Sequence, residues 1–138
     1  MVMKRLIALL FGSLFASGCQ GSADAPKVSM AAEWQVGGIY SIASGNGSFG
    51  VVKILALEPE IVHVRVYKNK FSSRPETIDL ASLSLGSMLD GGDFGMGHLP
   101  IGSKSFGEWA PVLVAKTSVA DDELEGYNLW KEAGGGVF

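Results

Sequence analysis

The side chains able to do chemistry in this 138-residue chain are few and scattered. His63, Arg65 and Tyr67 occupy every second position of the run Ile61 to Tyr67 (IVHVRVY). In an extended chain they share one face, setting a hydrogen-bonding ring, a cation and an aromatic side by side. They form a candidate ligand face, the alternative being an ordinary solvent face whose long side chains cover neighbouring strands. His98, in Gly97-His98-Leu99-Pro100, joins that candidate face if the chain folds back on itself. Two histidines and a carboxylate can begin a metal site, but no HExxH spacing occurs, so no metal ligand is assigned. Asp90-Gly91-Gly92-Asp93 has the look of a calcium turn without the later ligands or closing Glu, and reads as a solvated turn. Gly97 and Gly102 bracket four residues as in a phosphate loop, yet Ser103 stands where the lysine belongs. No GxSxG occurs, and Glu123 and Glu125 lie two apart on an expected helix and so do not face each other. No catalytic residue and no cofactor is assigned. Trp34, Trp109 and Trp130, with Phe94 and Phe106, read as packing rather than as a carbohydrate platform.

The elements that must position these groups are mostly short and β-like. Gly38 to Ala43 (GIYSIA) and Phe49 to Leu57 (FGVVKILAL) flank Ser44-Gly45-Asn46-Gly47-Ser48. Asn46-Gly47 tolerates positive φ at both central turn positions, which predicts an antiparallel hairpin; the turn also accounts for the formal glycosylation sequon Asn46-Gly47-Ser48. Glu58-Pro59-Glu60 breaks the second run. In the third run Val62, Val64 and Val66 share the core face, and the face of Ile61, His63, Arg65 and Tyr67 is expected to be partly wet. Further strands are expected over Glu76 to Leu80 (ETIDL) and Pro111 to Lys116 (PVLVAK), whereas Gly86 to Gly102, with six glycines in seventeen residues, reads as loop. Ser118-Val119-Ala120-Asp121 has a capping-box shape ahead of a helix over 120–132, with Leu124, Tyr127 and Trp130 on an apolar stripe and Gly134-Gly135-Gly136 ending it. Several strands followed by one helix predict a mainly β, α+β fold: a small antiparallel sheet or half-open SH3-like barrel with one C-terminal helix.

The amino terminus carries an address. Lys4 and Arg5 precede an apolar run, Leu6 to Ala16 (LIALLFGSLFA), closing in Ser17, Gly18 and Cys19. This is the order of a secretory signal, and the run is far shorter than the roughly 20 apolar residues that span a bilayer. Ala16-Ser17-Gly18-Cys19 resembles the lipobox of bacterial lipoprotein precursors, although Ala16 stands where that family most often has Leu. The resemblance implies a diacylglycerol on the Cys19 sulfur, cleavage between Gly18 and Cys19, and acylation of the new amino terminus. It covers the first nineteen residues and leaves the folded domain open. A single Cys at that one place fits an oxidising compartment, where an exposed free thiol is a liability and a thioether is inert. Two or three acyl chains would hold stably where one alone is marginal. By the resemblance, Gln20 in place of an inner-membrane-retaining Asp leans toward the outer membrane.

The expected organisation is a signal peptide over 1–18, a lipidated tether over 19–32 (QGSADAPKVSMAA after the Cys) and one β-rich domain over 33–138. With 47% hydrophobic and 18% charged residues, wholesale disorder is excluded. Loss of Lys4 and Arg5 leaves 9 basic against 14 acidic residues, a net charge of -5 in place of -3. Nucleic acid is therefore not expected as a partner, and attachment to a membrane depends on lipid rather than on a basic patch. The function expected is that of an exported, membrane-anchored lipoprotein facing the periplasm, a non-enzymatic module binding an envelope protein or polymer. The alternatives are a small envelope hydrolase acting on cell-wall or glycan material with His63 or His98 as acid–base group beside Asp90 or Glu108, and an immunity-type inhibitor with an acidic surface.

Overall fold

Alternation in Val62, Val64 and Val66 puts branched apolar groups on one face of a strand, and burial of that face drives the sheet together. A computed structural model describes residues 34–87, 89 and 94–137, all within one unit, Trp34–Phe138. The expectations for Gly18, Cys19 and the tether, and for Asp90-Gly91-Gly92-Asp93, lie outside the described residues. The described residues form five strands: β1 (Gly38–Ala43), β2 (Phe49–Glu58), β3 (Ile61–Val66), β4 (Met96–Gly102) and β5 (Val112–Lys116). They pair antiparallel in the order β4-β3-β2-β1-β5, an open sheet with β4 and β5 at its edges. Between the edge strands runs the short helix α1 (Ser103–Glu108), and the chain ends in a 3-10 turn (Asp121–Leu124) followed by α2 (Glu125–Glu132). The fold is thus mainly β with one helix near the C-terminus, as the sequence predicts. Among the described residues no helix is long and apolar enough to cross a membrane.

The main core fills one face of the sheet. Tyr40, Ile42, Val52, Ile54, Val62, Val64 and Ile101 pack there with Phe106, which α1 inserts fully buried. Trp34 and Trp109 meet Phe106 edge-on, with centroids 4.8 and 5.8 Å away. The opposite face is covered twice. Ile39, Val51 and Tyr67 are roofed by Phe71, Ile78, Leu83 and Leu85 of the long β3–β4 connection. The rest of that face lies under the C-terminal segment.

Three expectations are corrected. Gly86 to Gly102 is not all loop, because Met96–Gly102 pairs with β3 as an edge strand, Pro100 opposite His63. An edge strand carries only one ladder, so a proline is tolerated there. Glu76 to Leu80 is not a strand; Asp79 caps a 3-10 turn (Leu80–Ser82), its carboxylate accepting from the Ala81 amide at 3.1 Å. The β1–β2 hairpin forms, but with a wider turn than a two-residue one. Ala43 pairs with Phe49, the positive φ falls on Gly45 and Gly47, and Asn46 uses its side chain to accept from the Ser48 amide at 3.1 Å.

Candidate functional site

Strand alternation aims His63 of β3 and His98 of β4 toward the sheet face opposite the main core. Their rings stack with centroids 5.2 Å apart, and His63 Nδ1 lies 3.0 Å from His98 Nε2, a hydrogen bond whose donor depends on which ring holds the proton. Tyr127 and Trp130, three residues apart on α2, stand edge-on to His63 at 4.6 and 4.5 Å. His63 is fully buried. The helix sits this close because Gly126 faces His98; a Cβ there would come within 2.6 Å of the His98 Cβ.

One carboxylate completes the cluster. Pro59-Glu60 makes a tight turn, so Glu58 pairs with Ile61 and reaches His63, its Oε2 lying 3.6 Å from Nε2. The same oxygen accepts from the Tyr127 hydroxyl at 2.5 Å. His63 Nε2 itself has no hydrogen-bond partner although it is buried. Burial pushes the His63 pKa down, the neighbouring His98 and Lys131 push the same way, and Glu58 opposes them. Burial also lowers His98. The hydrogen bond to Glu58 raises Tyr127 above the ordinary phenol value.

Beside the pair lies a second polar knot. Lys53 is nearly buried, and its ammonium donates to Glu123 Oε1 at 2.8 Å and to the Ser118 carbonyl at 2.7 Å. Arg65 Nε stands 3.9 Å from Glu123 Oε2. Burial alone would raise Glu123, but the Ala120 amide, Lys53 and Arg65 outweigh it and hold the carboxyl below its ordinary range. Glu123 accepts from the Ala120 amide at 2.9 Å, so the helix start is capped at Ala120 rather than at Ser118, whose carbonyl serves Lys53.

The candidate face of His63, Arg65, Tyr67 and His98 is therefore divided and covered. The structure brings His63 and His98 together with Arg65 close by, and sends Tyr67 into the separate apolar cluster with Ile39 and Val51. A partly wet face was expected at His63 and Tyr67; both are buried because two later stretches of chain roof them. The carboxylate at the pair is Glu58, whereas Glu108 belongs to α1, which packs on the other face. Ser103 donates its amide to the Glu60 carbonyl at 2.9 Å, so the loop with phosphate-loop spacing is occupied in holding β4 to the β2–β3 turn. Sequence reasoning missed Glu58, Tyr127 and Lys53. The signal for Glu58 was the two-residue break Pro59-Glu60, which forces the residue before it opposite Ile61.

Chemically, the pair can share and store protons. His98 lines a shallow cleft of about 320 Å³ with Arg65, Asp122, Glu123 and Glu125, while His63 has no route to solvent. Among the described residues no group of three or more His, Cys, Asp or Glu is placed to hold a metal ion. No family model, curated protein or solved structure matches the chain.

Proposed function

We propose that the chain is a lipid-anchored protein of the bacterial cell envelope whose folded body serves as a non-enzymatic interaction module. The observation that carries this reading is Ala16-Ser17-Gly18-Cys19 directly behind a charged start and a short apolar run, with the only cysteine of the chain at the acceptor position. Residues 19–32 then act as a tether ahead of the unit that begins at Trp34. Gln20 favours the outer membrane. Among the described residues neither edge strand pairs with a further strand, and β5 presents Val112 and Leu113, 47% and 43% exposed, beside Arg74, Pro75 and Glu76. Open edges with apolar side chains are surfaces to which extended partner segments add.

Mass spectrometry of the purified product tests the anchor: acyl groups on a chain beginning at Cys19 are expected, and Cys19→Ser is expected to leave the membrane fraction. A native chain that starts at Met1 or carries a free thiol overturns the proposal. The second reading, a small envelope hydrolase, is favoured by one observation, the meeting of His63, His98 and Glu58 with His98 on a cleft. Incubation with purified cell-wall polymer decides it. Soluble fragments that disappear with His98→Gln support the hydrolase, and their absence from the unaltered protein refutes it.

A further inference from the structure

The joint between α2 and the sheet is built unlike the rest of the molecule. Apolar groups meet in the two core clusters, whereas here Tyr127 and Trp130 close over two imidazoles in direct contact. We infer that α2 is a latch that lets go of the sheet when the His63–His98 pair takes up its second proton. This concerns the folded body alone and stands whether or not Cys19 carries lipid.

The contacts distinguish the two protonation steps. In the neutral pair one ring donates to the other across 3.0 Å, and the hydrogen bond is satisfied. One added proton is accommodated: with both ring nitrogens of His63 protonated, Nδ1–H donates to His98 Nε2 and Nε2–H, at an atom otherwise without a partner, faces the Glu58 carboxylate 3.6 Å away. A second proton has no such place. Two N–H donors then face each other across 3.0 Å, and two like charges stand in adjoining rings, one of which, His63, is buried under Tyr127 and Trp130. Among the described residues the one carboxylate paired with the histidines, Glu58, is already committed to the Tyr127 hydroxyl.

Each element packed around the pair adds to the balance. β2 supplies Glu58 and Lys53, and β3 supplies Arg65. The 3-10 turn supplies Asp122 and Glu123. From α2 come Glu125, Tyr127 and Lys131. Asp122 and Glu125 line the cleft on the open side of His98, where solvent screens them, whereas Lys131 sits over the Tyr127 ring at 5.2 Å and repels a charged His63. Burial and Lys131 thus work against charge on the pair, with Glu58 the opposing group within.

The structure also fixes where the latch hinges. Glu123 is clamped by Lys53 and by the Ala120 amide and keeps its charge to lower pH than an ordinary carboxyl, so the 3-10 turn stays in place while the histidines charge. Past it, α2 has eight residues, too few to persist as a free helix in water. Release therefore melts α2, uncovers Tyr127 and Trp130, and opens a patch of sheet carrying His63 and His98 that a partner can reach.

Hydrogen exchange on the full chain in detergent, corrected for the intrinsic rate at each pH, tests this. Between about pH 7.5 and about pH 5, protection of 125–132 is expected to fall at least about tenfold, the worth of one pKa unit. Protection of β1–β3 should stay above that of 125–132 at every pH, falling only with the stability of the whole fold. His98→Gln keeps an amide donor toward His63 and removes one titrating group, and should abolish the loss. Retained protection of 125–132 at about pH 5, strands that exchange as fast as 125–132 there, or an unchanged transition in His98→Gln overturns the latch. Should that variant fail to fold, imidazole and Trp130 indole resonances of the unaltered chain decide. Coincident midpoints support the latch, and imidazoles that titrate while the indole stays still refute it.

Discussion

At the scale of single residues, the cluster under α2 shows how partners govern whether a buried charge is tolerable. Lys53 is 4% exposed and would be costly alone, yet Glu123 and the Ser118 carbonyl take up its ammonium. Removal of Glu123 strands that cation. Glu123→Ala is expected to cost about 3 kcal/mol in chemical denaturation. The double variant Lys53→Met, Glu123→Ala is expected to recover most of the loss, because a methionine fills the lysine's volume without its charge. A double variant as unstable as the single one would contradict this account. The alternation of Ile61 to Tyr67 made the side on which His63 and Arg65 lie legible from sequence. What covers that side was not, since Tyr127 and Trp130 reach it across more than sixty positions of chain.

At the scale of elements, legibility followed local pattern. β1, β2 and β3 have β-branched runs bounded by turn residues, and α2 has acids at its start and a helical stripe, so both kinds stand out from sequence. β4 (MGHLPIG) does not, for its two glycines and its proline are loop-like, and only the ladder to β3 makes it a strand. Glu76 to Leu80 fails the other way, being strand-like in composition but bent by the Asp79 cap. α2 offers a sharper test, in which propensity and packing disagree. Replacing Gly126 by Ala should favour an isolated helix by about 1 kcal/mol. Here the new Cβ would come within 2.6 Å of the His98 Cβ, so the helix must shift outward. Gly126→Ala is therefore expected to lower protection of the 125–132 amides at neutral pH, and a gain in protection would mean that the close approach is easily relieved.

At the scale of the whole molecule, acid should weaken the fold in two separate steps. In the folded chain His63 and His98 titrate below 6.5, so the unfolded chain binds more protons as pH falls. Their contribution is fully present above about pH 6.5 and is lost as pH drops from there toward the lowered folded values. Glu123, held below 4.5, contributes stability that is complete above that value and disappears on further acidification. Denaturation midpoints measured across this range should show both declines, and a flat profile between about pH 7 and about pH 5 would contradict the first. The sheet also has its larger core on the face away from α2, with Phe106 sealing it. A chain ending after Lys116 is accordingly expected to keep its near-ultraviolet signal from Trp34 and Trp109 while losing that of Trp130. Durability and responsiveness thus sit on opposite sides of one layer of strands: the tail can answer a change of acidity while the apolar packing around Phe106, on the far side, stays closed.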